Sequence, residues 1–266
     1  MFCFSRLLSC QILLAFTVPL LAQQSPPTDV PAFPRVPPPS ADASVEELEH
    51  QGDILRGQKA YLDAIDYYRA AIKKADSAIL HNKVGISLFQ LHRDKEARKQ
   101  YEFAVKLDKL YPEPYNNLGA LYDTNGRYGP AIKEYKKAIQ LSESNASFHS
   151  NLGTAYFHMR DFDAAIKEYT RALALDPDIF ERQQSGGVSV KLISSSDLGH
   201  LYYVMAQMYG GRGDSEHCRH YLSKANEEGY PIRDALHDDQ FAGLRKDPGF
   251  VAFVRSLKPP PAASSE

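Results

Sequence analysis

The chain has 266 residues, of which 43% are apolar and 24% are charged, so it can bury a substantial core in the manner of an ordinary globular protein. Its formal net charge of -2 at pH 7 argues against nucleic acid or an anionic membrane surface as the principal partner. Two of its three cysteines, Cys3 and Cys10, lie in a segment that we expect to be removed, so Cys218 would have no partner for an internal disulfide.

Residues 1-22 are predicted to be a secretory signal peptide. Arg6 precedes an apolar run from Ile12 to Leu21, and a cut near Ala22-Gln23 would follow it. The run is shorter than the roughly 20 apolar residues of a spanning helix. We therefore expect an exported protein, periplasmic or secreted.

Two alternatives for this segment stay open. An uncleaved membrane anchor is one, because Leu20 is large for its place two residues before the cleavage residue. The other is a lipoprotein signal, which Leu7-Leu8-Ser9-Cys10 resembles, although it stands before the apolar run instead of after it.

Residues 23-44 are predicted to be a disordered linker. Between Gln24 and Ser40, seven of the seventeen residues are proline, which favours an extended polyproline spacer over a packed core. A proline-rich recognition ligand at Val36-Pro37-Pro38-Pro39 is the alternative.

A long repeat follows the linker. Four marker glycines are spaced by 33, 34 and 34 residues, and each is followed at fixed distances by an alanine, a tyrosine and a second alanine: Gly52, Gly85, Gly119 and Gly153; Ala64, Ala97, Ala131 and Ala165; Tyr68, Tyr101, Tyr135 and Tyr169; Ala71, Ala104, Ala138 and Ala172. This period predicts stacked helical hairpins. The small residues would let two antiparallel helices approach, and we expect the tyrosine to fill the gap toward the neighbouring hairpin.

These residues resemble the tetratricopeptide repeat, a helix-turn-helix unit of 34 residues that stacks into a right-handed superhelix. The resemblance covers residues 45-178 as four repeats, 45-77, 78-111, 112-145 and 146-178. Asp176-Pro177 closes the fourth repeat with the proline that the family usually carries, whereas Asp76, Lys109 and Glu143 stand there in the first three. The resemblance implies an all-α solenoid.

The repeat register is lost over residues 179-196, which we predict to be an insertion loop. Gly186-Gly187 is a loop signal, and Val188, Val190 and Leu192 alternate with polar residues as in a short strand. The glycine pair is a weak hint of a phosphate loop, because it lacks the lysine and the helix start that such loops need.

A degenerate fifth repeat is predicted over residues 197-229. Leu198 to Tyr209 would be its first helix, with Ala206 in the glycine place, and Asp214 would begin the second helix. Cys218 and Ala225 take the alanine places, and the aromatic residue shifts by one to Tyr221.

His217, Cys218 and His220 could be taken for metal ligands. Residues one and two apart on a helix point in different directions, so we interpret Cys218 as a small buried residue.

The chain is predicted to end in capping helices over residues 230-257 and a disordered tail over residues 258-266. Asp247 would cap the last helix, with Pro248 at its first position. An apolar face would cover the last hairpin: Phe241, Leu244, Phe250 and Phe253.

One stripe of each first helix is a candidate binding surface. Because each helical residue advances about 100°, the distance from the marker glycine sorts the residues into stripes. In tetratricopeptide proteins the stripe opposite the packing side lines a concave groove, where an extended peptide or a partner helix commonly binds. We name it the first-helix stripe: Glu46, Glu49, His50, Asp53 and Arg56; Ile79, Asn82, Lys83, Ile86, Phe89 and Gln90; Glu113, Asn116, Asn117, Ala120, Asp123 and Thr124; Ser147, Ser150, Asn151, Thr154, Phe157 and His158.

Asparagines mark the middle of this stripe. Asn117 and Asn151 occupy the same place, and an amide both donates and accepts, so a column of amides can pair with the backbone of an extended peptide. The column resembles the asparagine ladder of some peptide-binding members of the family. Phe89 and Phe157 would add apolar anchors. The alternative is that the asparagines bind nothing and are present only because polar residues suit a solvent-exposed face.

Two further features qualify this surface. Asn82 and Lys83 match part of a carboxylate clamp for chaperone tails, but the matching basic residues are absent from the third repeat, so we do not expect a clamp. The first repeat contributes a mixed, mostly acidic set to the stripe.

The sequence contains no catalytic motif: no HExxH, no serine in a strand-to-helix elbow and no nucleotide-binding glycine motif. We therefore expect no enzyme, cofactor or metal site, but a scaffold that binds a protein or peptide in its groove. We expect no nucleic acid and no membrane as partner of the mature chain. The alternative is a structural subunit or assembly factor of a cell-envelope complex that uses its outer surface or ends.

Overall fold

The computed structural model describes residues 36–180, 195–232 and 235–257 of the chain. Ten of the α-helices in these residues form five consecutive hairpins: α1 Val45–Gly57 with α2 Tyr61–Lys74, α3 Ala78–Gln90 with α4 Asp94–Leu107, α5 Glu113–Thr124 with α6 Tyr128–Leu141, α7 Ala146–His158 with α8 Phe162–Leu175, and α9 Ser195–Gly211 with α10 Ser215–Glu227. We call α1, α3, α5, α7 and α9 the first helices and their hairpin partners the second helices.

The hairpins stack in chain order. Each second helix packs on the first helix of the next hairpin: α2 on α3, α4 on α5, α6 on α7 and α8 on α9. First helices also touch one another, α3 with α5 and α5 with α7, so these three form a continuous layer. The predicted all-α solenoid is confirmed, and the described residues contain no strand.

The repeated glycines and tyrosines hold each hairpin together. Each ring lies over the glycine of its own hairpin, so that a Cβ added to Gly85 would stand 2.5 Å from Tyr101 Cε1, and one added to Gly119 would stand 2.6 Å from Tyr135 Cδ1. The tyrosine therefore covers its own glycine in addition to filling the gap toward the neighbouring hairpin that the sequence predicts. Tyr135 does both, because it also shares a buried cluster with Leu152 and Ala155 of the following hairpin.

The turn between the two helices of each hairpin is also repeated. The residue seven positions after the marker has a positive φ in all five hairpins: Lys59 (62°), His92 (55°), Gly126 (70°), Arg160 (62°) and Gly213 (77°). This left-handed conformation ends the first helix, and glycine adopts it at the lowest cost. The turn at Gly213 places Ala206 in the marker position, as the sequence predicts for the fifth hairpin.

Side-chain caps begin several helices. Ser44 and Glu47 form a capping box at α1, and Ser77 accepts a hydrogen bond from the backbone N–H of Leu80 at α3. Asp214 caps α10, as predicted from the sequence.

The bounds of the predicted insertion need correction. Ile179 and Phe180 are buried, and the Phe180 ring packs edge-on against Tyr169 with centroids 5.5 Å apart. At the other end, α9 already begins at Ser195. The strand-like alternation of Val188, Val190 and Leu192 lies outside the described residues.

Two 3₁₀ helices, Asp239–Phe241 and Leu244–Lys246, and a last α-helix, α11 Pro248–Ser256, follow the fifth hairpin. In place of a capping α-helix before Asp247, the chain thus forms a pair of 3₁₀ turns. Asp247 caps α11 by accepting from the backbone N–H of Gly249 at 2.8 Å, which confirms the predicted cap. The predicted apolar cover is also confirmed, since Phe241, Leu244 and Phe250 are buried and Phe253 packs against the same core.

Asp238 ties this end segment to the fifth hairpin. Its Oδ2 accepts hydrogen bonds from Tyr203 Oη at 2.9 Å and from Gln207 Nε2 at 2.7 Å, both on α9. Its Oδ1 caps the first 3₁₀ helix through the backbone N–H of Gln240.

The segments predicted to be a signal peptide and a disordered tail, and most of the predicted linker, lie outside the described residues. Among the helices that the structure describes, none combines the length and apolar character that a membrane span requires.

Candidate partner-binding surface

The first-helix stripe is crossed by hydrogen bonds between hairpins. Asn151 Nδ2 donates to Asn116 Oδ1 at 2.9 Å, and Asn117 Nδ2 donates to Asn82 Oδ1 at 2.8 Å. Asn116 Nδ2 joins the two pairs through Asn117 Oδ1 at 3.5 Å, and Asn82 Nδ2 donates to Tyr111 Oη at 3.3 Å. We call Asn82, Asn116, Asn117 and Asn151 the amide chain.

The amide chain retains hydrogen-bonding capacity. Asn82 is buried, but Asn116, Asn117 and Asn151 are half-buried and reach the surface of the layer of first helices. A carboxamide has two N–H donors and two acceptor lone pairs, and each link of the chain uses one of them. The remaining groups can pair with the alternating N–H and C=O of an extended backbone.

The pairing differs from the column expected from the sequence. Asn117 and Asn151 share a register position but do not bond to each other, because the bonds join residues 35 apart, one more than the repeat. The sequence analysis did not predict that Tyr111 would accept a hydrogen bond from Asn82 or that Asn116 would bond to Asn117. The spacing of 35 residues, found twice, is the signal that could have revealed the pairs.

Lys83 lies between two carboxylates of the first hairpin. Its Nζ is 2.6 Å from Glu49 Oε1 and 2.6 Å from Asp53 Oδ2. Asp53 also accepts from Tyr68 Oη at 2.8 Å and lies 3.5 Å from Arg56. Burial acts to raise the pKa of Asp53, but these hydrogen bonds and charges lower it overall. Lys83 is therefore engaged by acidic side chains of the stripe itself.

Asp123 and His158 link α5 to α7. Their side chains, 12% and 11% exposed, approach to 3.0 Å between Oδ1 and Nδ1, and the Tyr128 ring lies 5.1 Å from the imidazole. This pair belongs to the packing between hairpins and presents little surface to a partner.

Two further candidates lie in the interior. Thr154 is 6% exposed and bonds to Ser150 O and Tyr169 Oη at 3.1 and 3.2 Å. Phe157 is 5% exposed and packs near Phe162 and His200. The expectation of an apolar anchor at Phe157 is therefore wrong, because α9 covers this position. Phe89 is half-buried and stays accessible.

Cys218 is fully buried, as expected of a small core residue. Burial, together with the charge of Asp214, raises the pKa of its thiol to about 12, so the thiol stays protonated at neutral pH. Across the described ranges, no three His, Cys, Asp or Glu side chains converge as metal ligands would.

An apolar patch on the second hairpin was not predicted from the sequence. Phe103, Leu107 and Leu110 are 49%, 49% and 76% exposed on α4 and the residues that follow it. The other three repeats have Ala70, Lys137 and Arg171 in the place of Phe103, and Ser77, Ser144 and Asp178 in the place of Leu110. Packing of the hairpins therefore does not require an apolar residue at the positions of Phe103 and Leu110. We call Phe103, Leu107 and Leu110 the outer patch.

Comparison with known proteins identifies the repeats. Residues 124–159 match a family model described as TPR repeat, and residues 146–179 match one described as tetratricopeptide repeat. A relative from Arabidopsis thaliana, the chloroplastic tetratricopeptide repeat domain-containing protein PYG7, is 34% identical over 89 residues. That match covers 32% of this chain and only 30% of the relative.

Two solved structures are similar to this chain. The APC/C hetero-tetramer Cut9-Hcn1 includes a chain that matches with a TM-score of 0.50 and 17% identity, over 76% of this chain and 35% of its own. TTC0263, a TPR protein of Thermus thermophilus, matches with a TM-score of 0.49 and 16% identity, over 80% of this chain and 98% of its own. The first of these similarities shows the fold alone.

Proposed function

We propose that this chain is an exported, non-catalytic scaffold whose first-helix stripe binds an extended segment of a protein or peptide partner. The amide chain is the observation that carries the proposal. It runs across three successive first helices, and its amides keep donors and acceptors that can pair with the backbone of an extended segment whatever its side chains.

Two other features support a binding role over a catalytic one. Phe89 adds an accessible apolar contact on the same stripe as Asn82 and Lys83. The one described cysteine is buried with a raised pKa, so it does not offer an activated nucleophile.

The outer patch favours a second candidate function, that of a structural subunit or assembly factor which docks through its outer surface. Three exposed apolar side chains grouped within eight residues are typical of a contact surface. This role and binding in the stripe would use different helices of the same hairpin, so substitutions can separate them.

A crosslinking pull-down from the native compartment tests whether the partner binds the first-helix stripe or the outer patch. Asn117→Ala combined with Asn151→Ala should reduce recovery of the partner, while Phe103→Ser combined with Leu110→Ser should leave it unchanged. The reverse result would support docking through the outer patch. If no specific protein is recovered with the wild-type chain, the scaffold proposal fails.

The double asparagine variant needs a check on folding, because it leaves the buried Asn82 Oδ1 without its donor, at a cost of about 1–3 kcal/mol. Phe89→Ala is a second stripe variant that removes no hydrogen bond between hairpins. It should also reduce recovery, and helical circular dichroism should show that both variants are folded.

The proposed export rests on the signal-like residues 1-22. N-terminal sequencing of the protein recovered from the native compartment should begin at Gln23. A sequence that begins at Met1 would instead indicate an uncleaved anchor or no export.

A further inference from the structure

Acidic and basic side chains are distributed unequally between the layer of first helices and the layer of second helices. The first helices α1, α3, α5 and α7 together carry six carboxylates and only two cations. The carboxylates are Glu46, Glu47, Glu49, Asp53, Glu113 and Asp123, and the cations are Arg56 and Lys83. The four second helices that pair with them carry twelve cations against eight carboxylates. The layer that presents the first-helix stripe is therefore acidic, although the whole chain is nearly neutral.

Both cations of the stripe are engaged by its own acids. Lys83 Nζ contacts Glu49 and Asp53, and the Arg56 guanidinium lies 3.5 Å from Asp53. Arg56 Nε also donates to Tyr68 Oη at 3.2 Å. An anionic ligand would have to displace these contacts, so the stripe is unsuited to an acidic segment.

Two carboxylates, Glu49 and Glu113, belong to the Tyr111 end of the amide chain. Glu49 contacts Lys83 at 2.6 Å, and the adjacent Asn82 bonds to the Tyr111 hydroxyl, while Glu113 follows Tyr111 by two residues in the chain. Burial raises the pKa of Tyr111 and the charges of Glu113 and Glu49 raise it further, whereas the hydrogen bond from Asn82 lowers it. Glu113 Oε2 is buried and accepts no hydrogen bond from the described residues. A carboxylate oxygen in that state is costly, and a cationic donor would satisfy it.

The opposite end of the stripe is neutral. In α7 the accessible stripe residues are Ser147 and Asn151, and this helix carries no Asp, Glu, Lys or Arg. The charge of the stripe is thus concentrated on α1, α3 and α5.

We propose that the segment bound in the stripe is basic: a lysine or arginine side chain lies against Glu49 and Glu113 beside Tyr111, and the backbone runs along the amide chain toward Asn151. The inference rests on the proposed function, since it names the chemistry of the partner for the same surface. Glu113 turns its carboxylate toward the bound cation, and Lys83 keeps its contacts with Asp53.

Selection from a random peptide library displayed on phage tests this inference with the purified protein. The recovered peptides should be enriched in Lys and Arg and depleted in Asp and Glu. Their binding should weaken as salt rises, because the screening length shrinks to about 3 Å at 1 M.

Variants locate the acidic contacts. Glu49→Gln with Glu113→Gln should weaken a selected basic peptide by about three- to tenfold, the range expected for two partly exposed ion pairs. Glutamine at position 49 can still accept from Lys83, so the fold should be kept. Glu102→Gln, which removes an exposed carboxylate from the second helix α4, is the matched control and should leave binding unchanged.

The outcomes separate the inference from the proposed function. Enrichment of acidic peptides, or equal binding by the double glutamine variant, would overturn the basic partner while the stripe remained the binding surface. Selected peptides that bind Asn117→Ala/Asn151→Ala and Phe89→Ala as tightly as the wild type would overturn both.

Discussion

Four marker glycines in the first helices lie directly beneath tyrosine rings of the second helices. At Gly119 an added Cβ would stand 2.6 Å from both Cδ1 and Cε1 of Tyr135, whose ring is 2% exposed. The ring cannot move away, because Leu152 and Ala155 of the next hairpin pack in the same cluster. A single methyl group at this position therefore disturbs two hairpins.

Gly119→Ala should lower the free energy of unfolding by about 1–3 kcal/mol, the usual cost of overpacking a core. The measurement is the urea midpoint of the helical circular dichroism signal. Gly129→Ala is the matched control: nothing lies within 4 Å of its added Cβ, so it should be neutral or raise stability by up to about 1 kcal/mol. A Gly119→Ala midpoint equal to that of the wild type would contradict the close contact.

At the scale of the element, the position with left-handed backbone conformation that ends each first helix holds glycine in only two of the five hairpins. Lys59, His92 and Arg160 hold φ values of 62°, 55° and 62° without being glycine. This conformation places Cβ close to the following carbonyl, so each of these hairpins stores a modest strain.

Removing a glycine from this turn should lower the stability of the protein, and introducing one should raise it. Gly126→Ala should cost about 1 kcal/mol, although no atom lies within 4 Å of the added Cβ, because the backbone alone resists the change. His92→Gly should raise the free energy of unfolding by up to about 1 kcal/mol. Thermal unfolding of the two variants beside the wild type checks both signs, and two shifts in the same direction would refute the explanation.

Helices and caps could be predicted well from the sequence, because local signals determine them. Asp214 and Asp247 cap their helices as expected, and the fifth hairpin keeps its register through Ala206 and Gly213. The pair of 3₁₀ turns could not be told from a short helix by pattern alone. Burial of Ile179 and Phe180 was missed because their contacts come from α9 and the second helix α8, beyond any local pattern.

At the scale of the molecule, stacking decides which stripe residues a partner can reach. The sequence placed Asn82, Asn117, Asn151 and Phe157 on one face, but it could not show that α9 covers Phe157 or that the amides bond to one another. It also held no sign that Lys83 lies between Glu49 and Asp53. These facts depend on the offset between neighbouring hairpins, which periodicity leaves undetermined.

The division of charge follows from the same stacking. Because the first helices lie side by side, the carboxylates of α1 and α5 add to one surface, while the lysines of the second helices lie in the other layer. A net charge of -2 therefore conceals an acidic layer of first helices on a nearly neutral chain.

Site-specific photo-crosslinking in the native compartment tests the central claim most directly. A photo-reactive amino acid is placed on the first-helix stripe at the exposed positions Thr124 or Ser147, and on the second helix α6 at the exposed positions Lys133 or Lys137. If the stripe binds the partner, one specific crosslinked protein should appear from Thr124 and Ser147 and be absent from Lys133 and Lys137. Crosslinks that arise only from the two lysine positions would contradict the account.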